Sequence, residues 1–183
     1  QVALQCAPFL KGLKVSCLIS LDEELYSGLA ELFTGMDVIY HMLSRSDGKC
    51  LVLFYRPIEM KAYLADKQVR ALLSEYGYSG MCAEEMLLRL SERIRDFSGR
   101  EVGFPHEIGV FLGYPPEDVK GFIENEGKRY LMIGYWKVYS DLGRARMIFQ
   151  EYDHAKDCAV NEFLTGKSIR EIALLLIFKR QLI

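Results

Sequence analysis

Asp47-Gly48 constrains the fold more than any other pair in the chain, because it separates two β-prone runs, Val38-Ile39-Tyr40 and Leu51-Val52-Leu53-Phe54-Tyr55. A two-residue hairpin turn needs positive φ at both central positions, and Asp-Gly adopts it readily. The spacing predicts an antiparallel hairpin over 37–56. Leu51 to Tyr55 is apolar on both alternating faces, which places that strand inside a sheet rather than at an edge.

Helix punctuation surrounds the hairpin. Ser20-Leu21-Asp22-Glu23 reads as a capping box, opening a helix with Leu21, Leu25, Leu29, Leu32 and Phe33 at helical spacing and Gly35 as its end. Pro57 suits the first position of another helix, where a missing N–H has no partner to lose. Two helical stretches run from there to Gly77. A longer helix beginning near Ala83 then carries Met86, Leu87, Leu90, Ile94 and Phe97 as one apolar stripe. Ile108 to Gly113 reads as a strand, as does Leu131 to Tyr139. Between them, Tyr114-Pro115-Pro116-Glu117-Asp118 starts a helix whose acids suit the macrodipole, with Val119, Phe122 and Ile123 on its buried face. Asp141 caps a helix bearing Leu142, Ala145, Ile148, Phe149 and Tyr152. Ser168 to Glu171 caps a last helix, in which the apolar run Ala173 to Phe178 is predicted to be buried. The fold class that results is α+β. A single domain holds a mixed or antiparallel sheet (hairpin 37–56, strands 107–113 and 130–139) packed with several helices.

Composition excludes several function classes. With 50% hydrophobic and 26% charged residues, the chain is too apolar and too evenly charged to be disordered, and it has no apolar run of about 20 residues to span a membrane. Lys+Arg number 23 against 25 Asp+Glu, a net charge of −2, which gives no reason to expect a polyanion. Arg89, Arg93, Arg95 and Arg100 alternate with Glu84, Glu85, Glu92 and Asp96, as on a salt-bridged helix rather than a nucleic-acid patch. The five cysteines are widely spaced, odd in number and without a Cys-x-x-Cys pair, so neither a disulfide framework nor a zinc ribbon is expected. Lys11 and Lys14 interrupt the only candidate apolar core in residues 1–21, which therefore does not read as a secretory signal. A reduced, cytoplasmic protein is the expectation, with no nucleic-acid or membrane partner and with its oligomeric state open.

The stretch Phe104-Pro105-His106-Glu107-Ile108-Gly109-Val110-Phe111-Leu112-Gly113-Tyr114-Pro115, continuing through Glu117-Asp118-Val119-Lys120-Gly121-Phe122-Ile123, is unusually specific. So is Gly134-Tyr135-Trp136-Lys137-Val138-Tyr139, followed by Ala145, Phe149 and Tyr152. With Cys6-Ala7-Pro8, Gly12-Leu13-Lys14 and Tyr55-Arg56, these motifs resemble a bacterial family classed as a domain of unknown function. The resemblance covers nearly the whole chain. It implies a single-domain cytosolic bacterial protein and supplies no activity, cofactor or partner. Phe9 stands where the family motif has Thr, which weakens any role for a hydroxyl beside Cys6.

Three functional readings follow from the residues. In the first, the protein binds a small molecule or anion in a pocket near Cys6, Lys14, Arg56 and the His106-Glu107 turn. Lys137 would lie between Tyr135 and Tyr139 on one strand face, opposite Trp136, and the same pattern also fits an exposed sheet face. In the second, a cysteine-dependent hydrolase or acyl transferase uses Cys6 as nucleophile and His106 as base. The order Cys then His is that of papain-like folds, and a helix start lowers a thiol pKa. Against this pair, Gly12 leaves room for only a turn or two of helix, and the 131–139 strand has no Asn, Asp or Gln to orient the imidazole. Glu107, adjacent on a strand, would point to the opposite face. The third reading is an interaction or scaffold protein. His154 and Cys158, four apart, share a helix face and could supply two metal ligands. No further close pair completes a tetrahedron, so neither metal nor cofactor is expected. Thr165-Gly166-Lys167-Ser168 imitates the end of a phosphate loop, but Asn161 occupies the required glycine position, leaving a turn and a helix cap.

Overall fold

The computed structural model describes residues 2–97 and 103–174. Two short helices, α1 (Val2–Gln5) and α2 (Ala7–Leu10), lead into strand β1 (Ser16–Asp22), then α3 (Glu23–Ser27) and α4 (Leu29–Leu32). The predicted hairpin follows as β2 (Ile39–Ser46) and β3 (Lys49–Tyr55). Asp47 and Gly48 both have positive φ, 50° and 73°, the backbone that a two-residue turn between right-twisted strands requires. β3 is central in the antiparallel order β1-β3-β2. Its Cys50, Val52 and Phe54 join Cys17, Ile19 and Leu21 of β1 in one core. On the opposite face, Leu51 and Leu53 join a larger core with Met60, Leu64 and Phe111. The strand is apolar on both faces because both faces are covered.

β1 replaces the start of the helix expected from Ser20. Ser20 sits opposite Leu51 in the ladder, and Asp22 forms an ion pair with Lys49 at 2.6 Å instead of capping a helix. Burying Ile19 and Leu21 contributes about 1.5–3 kcal/mol each, against about 1 kcal/mol for a capping interaction. Tertiary pairing wins over the local signal. Of the apolar positions expected on that helix, Leu29 and Phe33 are buried while Leu25 and Leu32 are exposed.

After β3 come α5 (Pro57–Leu64), α6 (Lys67–Glu75) and α7 (Ala83–Phe97). Pro57 opens α5 as expected, and Asp66 caps α6 by accepting from the Gln68 and Val69 N–H groups. Met86, Leu87, Leu90 and Ile94 of α7 are buried against β2, whereas Phe97 is 41% exposed.

Two expected strands are corrected. Residues 107–113 form a single helical turn, α8 (Ile108–Phe111), because an unbroken apolar run carries no period to separate helix from strand. Gly113 ends it at φ 75°. There the Gly113 N–H donates to the Val110 carbonyl and the Tyr114 N–H to the Gly109 carbonyl, the bonding pattern of a Schellman cap. Residues 130–139 are a tight ribbon, β4 (Met132–Ile133) paired with β5 (Lys137–Val138), and Gly134 folds the chain back with its N–H on the Trp136 carbonyl at 3.0 Å.

Between these lies α9 (Pro116–Glu124), and the chain continues through α10 (Leu142–Leu164) and α11 (Ile169–Leu174). Asp141 caps α10 through the Arg144 N–H. The box at Ser168 and Glu171 forms in both directions. Ala173 is buried; residues 175–178 of the predicted apolar run, like Arg100, lie outside the described residues. The fold class is α+β with antiparallel sheets. No helix among the described residues is long and apolar enough to cross a membrane.

An added Cβ at Gly48 meets nothing within 4 Å, so Gly48→Ala tests the turn backbone alone. The left-handed conformation should cost about 1–2 kcal/mol, read as a lower urea midpoint with an unchanged slope.

Candidate functional site

Two buried carboxylates position the second half of the chain. Glu107, 1% exposed at the start of α8, accepts from the Tyr78 hydroxyl at 3.0 Å and from Arg93 Nε at 2.5 Å. Burial and this carboxylate both push the Tyr78 hydroxyl pKa well above its ordinary value. The bonds tie α8 to α7 and to the loop before it. Asp118, 2% exposed in the first turn of α9, is satisfied from across the chain. Its Oδ2 accepts from Trp136 Nε1 at 2.7 Å, and its Oδ1 accepts from the Tyr139 N–H, the Ser140 N–H and the Ser140 hydroxyl, each at 2.8 Å. The sequence marks it only as a first-turn acid favoured by the helix dipole. The structure instead makes it the clamp that holds the β4–β5 ribbon on α9.

Two glycines let the ribbon close. An added Cβ at Gly121 would lie 2.6 Å from the Tyr139 Cβ, and one at Gly134 would lie 2.2 Å from the Phe149 ring. Trp136 then packs between Tyr114, stacked at 5.3 Å, and Phe149, edge-on at 4.5 Å.

Between the ribbon and the α8–α9 corner opens a cleft of about 300 Å³. Trp136, Phe122, Ile108 and Val119 supply apolar walls, and His106 and Lys137 line it as well. His106, exposed, has its ring 4.9 Å from Phe122 and 5.5 Å from Phe104. Lys137 donates to the Gly127 carbonyl at 2.8 Å, with its ammonium over the rings of Tyr130 and Phe122. Asp118 also borders the cleft, but four donors already occupy its oxygens.

Of the residues singled out in the sequence, the cleft gathers His106 and Lys137. Tyr139 is held at the edge of the ribbon against Gly121. Tyr135 lies in the turn, not on a face shared with Lys137, and donates to Asp153 on α10 at 2.8 Å. Arg56 is buried at the junction of β3 and α5. It donates to the Phe9 and Leu10 carbonyls that end α2 and lies over the Phe9 ring at 4.6 Å, with Asp37 at 3.5 Å.

Cys6 is 1% exposed in the core that contains Phe9, Cys17 and Phe54. It does precede a helix start, yet the expected lowering of its pKa is reversed. A hydrogen bond with Cys17 and burial raise the thiol far above its usual range. Among the described residues no hydrogen bond or ring contact joins Cys6 to His106. Lys14 lies over the rings of Tyr114 and Tyr152 at 5.2 and 5.9 Å, and burial lowers its pKa. It thus stands behind the cleft, one ring removed from Trp136. Among the described residues no three His, Cys, Asp or Glu side chains gather as a metal site.

Sequence reasoning missed Asp118 as a buried clamp and Trp136 as a cleft wall. The available signal was Gly134 beside the aromatic pair Tyr135-Trp136, since a glycine within a strand pattern marks a tight bend or a close approach.

Asp118→Ala leaves the buried Trp136 indole N–H unpaired and removes the anchor of the Tyr139 and Ser140 donors, a cost on the order of 2–3 kcal/mol in urea unfolding. Lys14→Met should raise the thermal midpoint at pH 7. The unfolded chain binds more protons than the folded one between the lowered value and 10.5, so stability rises with pH across that window. The advantage of Lys14→Met should therefore shrink as the pH approaches that limit.

No curated protein and no solved structure matches the chain. A family model described as "Protein of unknown function (DUF3793)" matches residues 2–173, nearly the whole length, and the chain belongs to that family.

Proposed function

We propose that the protein binds a small molecule with a flat apolar body and one anionic group, seated in the cleft between the α8–α9 corner and the β4–β5 ribbon. The observation that carries this reading is the lining. Aromatic walls from Trp136, Phe122 and Tyr114 enclose a space bordered, among the described residues, by a single cation, Lys137, and one imidazole, His106. The volume of about 300 Å³ lies at the small end of ligand pockets and suits one or two fused rings. Lys137 supplies a charge-assisted contact to a carboxylate or comparable anion, and His106 a hydrogen bond at the rim. Cys6 contributes no nucleophile to this cleft, being buried in another core. All five cysteines are free thiols, which supports a reducing, cytoplasmic setting.

Trp136 is the only tryptophan in the chain, so its emission reports the cleft directly. Titration with benzoate and 2-naphthoate, and with the neutral amides of the same rings, should give saturable changes, with the acids binding about tenfold tighter. Lys137→Met should abolish the preference for acid over amide while leaving the thermal midpoint nearly unchanged. Flat Trp136 emission and an unmoved midpoint across all four compounds would sink the reading.

A further inference from the structure

A row of ring contacts leads out of the cleft. Phe122, on its wall, has the His106 ring at 4.9 Å. His106 meets Phe104 at 5.5 Å, and Phe104 meets Phe97, at the end of α7, edge-on at 5.4 Å. The same Phe122 ring lies under the Lys137 ammonium at 5.5 Å. We propose that the ligand of the cleft is an amphiphile, an aromatic carboxylate with an unbranched alkyl tail, whose tail leaves past His106 and lies along Phe104 and Phe97. The inference rests on the binding reading above and names its substrate class.

Three observations support it. The row is open to water, since His106 and Phe97 are exposed and Phe104 and Phe122 are half-buried. A contiguous row of rings left in water marks a binding surface, whereas single scattered ones do not. The row is also continuous with the cleft, because His106 and Phe122 both line it. An apolar group therefore passes from the cleft onto the row without a polar gap other than the imidazole edge. Finally, polarity is ordered along the contacts. Lys137 donates to the neutral Gly127 carbonyl, and its ammonium keeps further N–H donors for an anion. Among the described residues no carboxylate forms an ion pair with it. A cation at one end and apolar rings toward the other complement a molecule with a charged head and an apolar tail. A single-stranded nucleic acid also stacks on rows of rings, but it needs cations along its phosphates, and the chain carries a net charge of −2.

The test is a series of benzoate and its 4-ethyl, 4-butyl, 4-hexyl and 4-octyl derivatives, titrated against Trp136 emission below the concentration at which the longest acid aggregates. Affinity should rise about two- to fourfold for each methylene laid on the rings. Alkyl chains adhere to many apolar surfaces, so the variants decide. Phe104→Ala should level the series beyond the butyl acid. Phe97→Ser, an exposed position, should weaken the octyl acid by about fivefold or more and spare the butyl acid. Both should leave the benzoate Kd unchanged. Ile133→Ser, on the ribbon side of the cleft, should leave the gain per methylene intact.

Benzoate that binds with no gain from the tails, a gain that Phe104→Ala and Phe97→Ser both preserve, or one that only Ile133→Ser removes would each overturn the tail while leaving the cleft reading standing. Benzoate that does not bind removes the cleft reading, and the tail with it. A dimer in sedimentation velocity that Phe97→Ser dissociates would assign the row to a second copy of the chain and overturn the proposal as well.

Discussion

The carboxylate of Asp118 is the constraint on which the second half of the molecule depends. The β4–β5 ribbon has two residues in each strand, and a hairpin that short has no stability of its own in water. What fixes it is a buried acceptor that collects the Trp136 indole N–H, two backbone N–H groups and the Ser140 hydroxyl. Without that acceptor the buried indole N–H would be dry and unpaired, at a cost of about 1–3 kcal/mol, while the donors of half-buried Tyr139 and exposed Ser140 would turn to water. The carboxylate also sits in the first turn of α9, where the helix N-terminus favours negative charge. One group therefore fixes the helix start, the ribbon and the position of the only tryptophan.

The clamp acts on a corner that is itself tied to the sheet. The Ser16 hydroxyl at the start of β1 donates to the Phe111 carbonyl at 2.6 Å, and an added Cβ at Gly113 would meet Val15 at 2.9 Å. Arg93 and Tyr78 converge on Glu107 from the helical side. The cleft thus has one wall anchored to the main core and one held by Asp118, by the packing around Phe149 and by the Tyr135–Asp153 and Lys137–Gly127 hydrogen bonds. Lys14, Tyr114 and Trp136 form a continuous line from the interior to that second wall.

How much of this was legible in the sequence depends on whether the signal was local. Asp47-Gly48, Pro57, Asp141 and the Ser168–Glu171 box act on neighbours within a few residues, and the structure contains all four. The central place of β3 was legible because apolar residues on both faces require cover on both. β1 was not, since its pairing with β3 is a long-range choice and Ser20-Leu21-Asp22-Glu23 offered a competing local signal. Ile108 to Leu112 failed for a different reason: a fully buried run has no polar face, so no period distinguishes helix from strand. Within the site, His106 and Lys137 carry recognisable chemistry and were named. Asp118 was seen only as a helix-start acid, because nothing local reveals that Trp136 and Ser140 will return to it from about twenty residues away.

The most direct test of the clamp is the indole N–H signal of Trp136 in a proton–nitrogen correlation spectrum, where a single tryptophan gives a single indole peak. If Asp118 holds the ribbon, that proton is protected from exchange with water. Asp118→Asn should then shift the peak and remove most of the protection while the amides of β3 remain protected. An indole proton that exchanges as fast as one on an exposed tryptophan, or one whose exchange is unchanged in Asp118→Asn, would contradict the account.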